Sequence, residues 1–226
     1  MPAGGIGCRH ELIYHQYGLR EGTGASSSSS SVADVNGNGN GNVPVYNGRA
    51  YIQASLHADE IPGLLVVHHL IKLLDEADKQ GRILKEILLV PYANPIGLSQ
   101  ILMGSHIGRF NLDTGVNFNR AWMDVIPQVK EAVKGKLIKD DMAHNVRVIR
   151  ETIFAEASSR TDMKIENVLK RELYKLAAVS DIVLDLHCDT EAIFHTYTHD
   201  RLWPLMNDLA TELESTCTML APDSGG

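Results

Sequence analysis

AYIQASLHADEIPGLLVVHHLIKLL, residues 50–74, is the stretch that decides the fold. Ala50–Leu56 (AYIQASL) reads as a strand that stops at HADE. Pro62 then stands where a helix can begin, because its missing N–H would be unpaired there in any case. Leu64, Val67, His68, Ile71 and Leu74 follow at the i, i+3, i+4, i+7 spacing of an amphipathic helix that ends near Gly81. A strand, a short polar turn and a helix in this order open an α/β unit.

The same rhythm continues on both sides. Glu86–Val90 (EILLV) is a short apolar run like a buried parallel strand, and Pro91, Asn94, Pro95 and Gly97 mark a turn after it. Residues 104–122 show neither helical nor strand period and read as a long irregular loop. Residues 140–178 are charged and periodic, as two helices or one broken helix. Asp181–Leu186 (DIVLDL) is a second buried strand, and a last helical stretch follows Trp203. Before the deciding stretch, HELIYHQYG suits a short strand. Gly22–Asn42, GTGASSSSSSVADVNGNGNGN, has too little apolar surface to offset its ordering entropy and is expected to be a disordered insertion. The fold class is therefore α/β, a mixed and largely parallel sheet flanked by helices, in one domain spanning residues 1–226.

Composition narrows the function. With 226 residues, 44% hydrophobic and 22% charged, the chain has the make-up of an ordinary globular domain. A net charge of -7 speaks against nucleic acid, whose phosphates need a basic partner. Cys8, Cys188 and Cys217 are an odd, widely spaced set without a CxxC pair, as in reduced cytosolic proteins, so the expected location is the cytoplasm. The N-terminus carries no signal-like apolar stretch, and no run approaches the roughly 18 apolar residues of a membrane span, so no membrane partner is expected.

Two strands end alike: YIQASL gives way to His57, and IVLDL gives way to His187. In open α/β sheets, ligands gather beyond the carboxyl ends of the strands, which brings these distant histidines toward one point. Glu60, three residues after His57, reaches the same place from the strand-to-helix turn. Two imidazoles and a carboxylate form a common catalytic zinc set that leaves a fourth position for water. The expected cofactor is one zinc ion per chain on His57, Glu60 and His187. The pattern is not HExxH, in which both histidines share a helix. His68 and His69 fall within the first helix, whereas His106, His195 and His199 lie near the motifs and are less easily dismissed, although a structural role is favoured over substrate contact for each.

The segments SLHADEIPG, GRFNLDTGVNFNR and DLHCD, in this order, resemble the succinylglutamate desuccinylase/aspartoacylase branch of the zinc carboxypeptidase superfamily over about Tyr51–His187. The resemblance implies that fold, and hydrolysis of an amide bond in an N-acyl amino acid or similar small carboxylate-bearing substrate. It assigns zinc binding to His57, Glu60 and His187, substrate carboxylate binding to Asn119 and Arg120, and polarisation of the scissile carbonyl to Arg109. A guanidinium suits both tasks, being a planar fork that stays charged. A carboxypeptidase needs the same set, so a peptidase stands as the alternative. The base glutamate of that family comes from a later strand, but the chain ends 39 residues after His187, and Glu191, Glu212 and Glu214 fit it poorly. No general base is assigned, the domain is expected to be incomplete at its C-terminus, and a silent zinc- or ligand-binding chain is a further alternative.

Overall fold

The computed structural model describes residues 9–18, 29–34, 48–161 and 164–222. In chain order the elements are β1 (Glu11–Tyr17), β2 (Ser29–Asp34), β3 (Ala50–Ala54), α1 (Pro62–Lys79), β4 (Ile87–Val90), α2 (Pro95–Leu98), β5 (Ile101–Leu102), β6 (Ser105–His106), α3 (Ile126–Ala132), α4 (Met142–Ser159), α5 (Ile165–Ala178), β7 (Ile182–Leu186), β8 (His195–His199), α6 (Trp203–Glu212) and β9 (Cys217–Ala221). The main sheet has the strand order β2-β1-β4-β3-β7. It is mixed: β3 lies parallel to β4 and β7, while β1 runs antiparallel to β4 and β2.

Side-chain alternation gives each face its own core. On one face Leu12, Tyr51, Leu88 and Val90 pack with Phe118 and with Leu169 and Leu173 of α5. On the other, Tyr17, Ala54 and Leu89 pack with Val67 and Leu74 of α1. Each such large apolar side chain, fully buried, contributes about 1.5–3 kcal/mol. Outside α5, Val125, Val129 and Val133 join Val148, Ile149 and Ile153 of α4, so the α5 face is two helices deep.

Several expectations change in detail. Within the stretch expected to be disordered, Ser29–Asp34 forms β2 against β1, from Glu11↔Asp34 to Gln16↔Ser29. A sequence poor in apolar residues does not prevent this, since a strand edge offers backbone partners to any residue but proline. The rest of Gly22–Asn42 lies outside the described residues. DIVLDL forms β7 but is not buried: Ile182 and Val183 are 45% and 48% exposed. Among the described strands β7 pairs only with β3, so its other edge is open. Residues 140–178 resolve into two helices, α4 and α5, with Asp141 capping α4 by accepting from the His144 N–H (3.0 Å). His68 is exposed, because α1 centres its buried stripe on Gly63, Val67 and Leu74. The parallel pair β8–β9, with α6 between its strands, was not signalled by any apolar pattern. Cys188 and Cys217 are free thiols, and Cys8 lies outside the described residues. Among the described residues no helix is long and apolar enough to cross a membrane.

Candidate metal centre

Strands β3 and β7 are register neighbours, with Ala54 opposite Leu186. Their carboxyl ends therefore release His57 and His187 on the same side of the sheet. Ser55 turns the chain out of β3 in a left-handed conformation (φ 65°). The turn is then clamped from both sides. Asn94, wholly buried, donates its amide to the Leu56 carbonyl (2.9 Å) and accepts from the Gly97 N–H (2.8 Å). On the other side, the Ala58 N–H donates to the Gly108 carbonyl (3.1 Å). A Cβ on Gly108 would stand 2.1 Å from the Asp59 nitrogen, so only glycine lets the two backbones meet.

This scaffold brings the expected ligands together: a nitrogen of His57, an oxygen of Glu60 and a nitrogen of His187 lie within 4.8 Å of one another. Glu60 Oε1 is 2.9 Å from His57 Nδ1, and Glu60 Oε2 is 2.9 Å from His187 Nδ1. The Cys188 N–H also donates to Oε2 (2.7 Å). Burial disfavours the Glu60 anion, but His187, His57 and the Cys188 N–H outweigh it and hold the carboxyl well below the usual carboxylate range. Burial likewise disfavours a charged His187, yet Asp185 and Glu60, one on each ring nitrogen, push its pKa up to about 10.

The outward ring nitrogens complete the pattern. His57 Nε2 faces Asn117 Oδ1 (2.9 Å), and His187 Nε2 faces Asp185 Oδ2 (2.9 Å). With the Nε2 protons given to such partners, Nδ1 of each ring would be the nitrogen that could turn its lone pair to a metal beside Glu60. Two Nδ1 atoms and one carboxylate, each oriented by a second hydrogen bond, fit a zinc ion in donor type and number.

The other expected residues divide. Arg109 joins the cluster, its Nη2 donating to Glu60 Oε1 (2.6 Å). Asn119 reaches it from the side, with Nδ2 3.4 Å from His187 Nε2 and Oδ1 accepting from Trp122 Nε1 (3.0 Å). Arg120 stands at the exposed rim, its guanidinium turned to the Asn119 carbonyl (2.7 Å). His106, His195 and His199 are engaged elsewhere: with the Gly97 carbonyl (3.0 Å), with Ile193 and Asp189 (2.8 and 3.2 Å), and with the Arg201 N–H (3.1 Å). Asn117 and Asp185 were missed as contributors, although both sit inside the quoted motifs, two residues before Asn119 and His187. An aspartate preceding a candidate ligand by two positions on a strand is the signal that could have found Asp185.

Residues 47–213 match the family model of the succinylglutamate desuccinylase/aspartoacylase catalytic domain. Two solved structures are similar. One, a succinylglutamate desuccinylase/aspartoacylase family protein from Shewanella amazonensis, is 28% identical with a TM-score of 0.60, over 83% of this chain and 50% of that one. The other, from Shewanella frigidimarina and named for the same pair of enzymes, is 20% identical with a TM-score of 0.60, over 93% of this chain and 67% of that one. The chain thus spans about half the length of the first. No curated protein matches it.

Proposed function

Since the chain belongs to the succinylglutamate desuccinylase/aspartoacylase catalytic domain family, we propose that it is a zinc hydrolase of deacylase type, cleaving the amide bond of an N-acyl amino acid or a similar small carboxylate-bearing substrate. The observation that carries this is the convergence of His57, Glu60 and His187, both histidines being held from behind by Asn117 and Asp185. Zinc held there would supply a water of lowered pKa, about 7, and would polarise the amide carbonyl.

The chain's own residues supply the rest. Arg109, 2.6 Å from Glu60 and partly open to solvent, would stabilise negative charge growing on the carbonyl oxygen. Asn119, against His187, and Arg120, at the rim, would bind the free carboxylate and set the register of the amide. Metal analysis of zinc-supplied protein should find one zinc per chain, lost in His57→Ala and His187→Ala. A folded parent without stoichiometric zinc would refute the assignment.

A second function, metal and ligand binding without turnover, is favoured by the exposure of Glu191, Glu212 and Glu214, the glutamates that follow His187. General acid–base catalysis contributes about 10²- to 10⁴-fold, so a chain without a placed base would turn over poorly. A panel of N-acyl amino acids and short peptides offered to the zinc-loaded chain separates these outcomes. Release of free amino acid from the acyl series supports the deacylase, cleavage of peptides alone a carboxypeptidase, and binding without cleavage the silent protein.

A further inference from the structure

The loop from Asn111 to Arg120 carries Asn117, Asn119 and Arg120, yet its ladder pairing amounts to an isolated bridge between Phe110 and Asn117. Helix α5 supports it from beneath. Glu166 and Lys170, one turn apart on that helix, are each 1% exposed. Glu166 Oε2 accepts from Asn111 Nδ2 (2.9 Å) at the start of the loop. Lys170 Nζ donates to the carbonyls of Asn117 (3.3 Å) and Arg120 at its end. Between these anchors the wholly buried Phe118 packs into the cluster that holds Leu169 and Leu173 of the same helix.

This is a costly way to pack a helix. Taking an ammonium and a carboxylate out of water costs several kcal/mol for each ion, and apolar residues of similar volume are often as stable or more so. Glu166 Oε1 has no hydrogen-bond partner at all. A cation between two carbonyls, however, fixes the distance between residues 117 and 120. That span holds the acceptor for His57, the side chain beside His187, and the guanidinium at the rim.

We infer that Lys170 and Glu166 are positioning residues, which act through the Asn111–Arg120 loop to hold Asn119 and Arg120 in register with the His57–Glu60–His187 cluster for a carboxylate-bearing ligand. The ligand half of this inference rests on the proposed function; the hold on the loop does not. Neither side chain touches the ligand.

Lys170→Met keeps length and volume while removing the charge and both hydrogen bonds; Lys170→Arg keeps a cation. The full chain is loaded with cobalt(II), whose visible spectrum reports coordination, and titrated with N-acetylglycine and acetate as probes. Amide hydrogen exchange is followed in parallel at Asn111, Phe118 and Asn119. Lys170→Met should exchange at these amides at least about tenfold faster, with α5 unchanged, and in its cobalt-saturated form should bind the probes about tenfold more weakly. Lys170→Arg should recover most of the loop protection. Unchanged exchange and probe binding in Lys170→Met would overturn the inference, as would a uniform loss of protection over loop and helix together. If Lys170→Met does not fold, Glu166→Gln is judged by the same amides and probes. A parent that takes up no cobalt would defeat the proposed function and the ligand half, and the exchange data would still decide the hold on the loop.

Discussion

Asn117→Ala would disturb the candidate metal centre through a residue outside the His57–Glu60–His187 triad. The substitution removes the acceptor 2.9 Å from His57 Nε2, and with it the acceptor for the Asn119 N–H at 2.8 Å. With Nδ1 of His57 engaged by a metal, the ring proton must sit on Nε2. The His57 side chain is only 4% exposed, so the lost acceptor leaves its ring N–H at a buried position. A buried donor without a partner costs about 1–3 kcal/mol. At about 1.4 kcal/mol per decade this weakens zinc binding roughly 5- to 150-fold, in line with the loss of about 10- to 100-fold typical of residues that orient metal ligands. Competition titration against a chromophoric zinc chelator measures it directly. Asn117→Asp keeps the acceptor and adds negative charge, so it should bind zinc at least as tightly as the parent. A zinc affinity for Asn117→Ala within about twofold of the parent, with circular dichroism and melting point unchanged, would refute the assigned role.

Arg109→Ala should lower kcat on any hydrolysed N-acyl amino acid by about 100- to 1000-fold with zinc content unchanged; a defect confined to KM would contradict its place at the carbonyl oxygen. Phe118→Ala, at a wholly buried position, should cost about 3–5 kcal/mol in urea unfolding; a loss under about 1 kcal/mol would mean that the loop is not anchored in the core. Burial disfavours the Asp181 anion, but Arg150 and the N–H groups of Arg49 and Gly48 outweigh it and hold its carboxyl below the usual range. Because its folded pKa is depressed, the stabilisation is complete above the unfolded value of about 4 and is lost as pH falls through the folded one. Asp181→Asn should therefore cost about 1–2 kcal/mol near neutrality and progressively less below about pH 4; a difference from the parent that stays constant with pH would refute it.

Much of the fold was legible because its strands and helices announce themselves locally. AYIQASL, EILLV and the stripe through Leu64, Val67 and Leu74 became β3, β4 and α1 within one or two residues at most boundaries. Apolar runs do not say what lies beside a strand, which is why DIVLDL read as buried although among the described strands β7 pairs only with β3. Serines 29–31 give no apolar pattern in the sequence, and their pairing in β2 is a match of main chain to β1 that such a pattern does not record. The N–H and C=O of the main chain leave no trace in a hydrophobic pattern.

The sequence by itself determined the identity of the three candidate ligands, because two imidazoles and a carboxylate are a common zinc-binding set, and two apolar strands each deliver a histidine at their ends. Arg109, Asn119 and Arg120 came from the likeness of three short motifs. Only the tertiary structure decided which nitrogen of each ring faces Glu60, since that depends on Asn117 and Asp185 occupying the other side. It also decided that Glu166 and Lys170, on a helix far along the chain, lie beneath the loop that carries Asn119 and Arg120. Local pattern records which residues a segment prefers to bury or expose; a charged side chain buried against a distant backbone carbonyl is a contact between segments, and it exists only once the sheet has set them side by side.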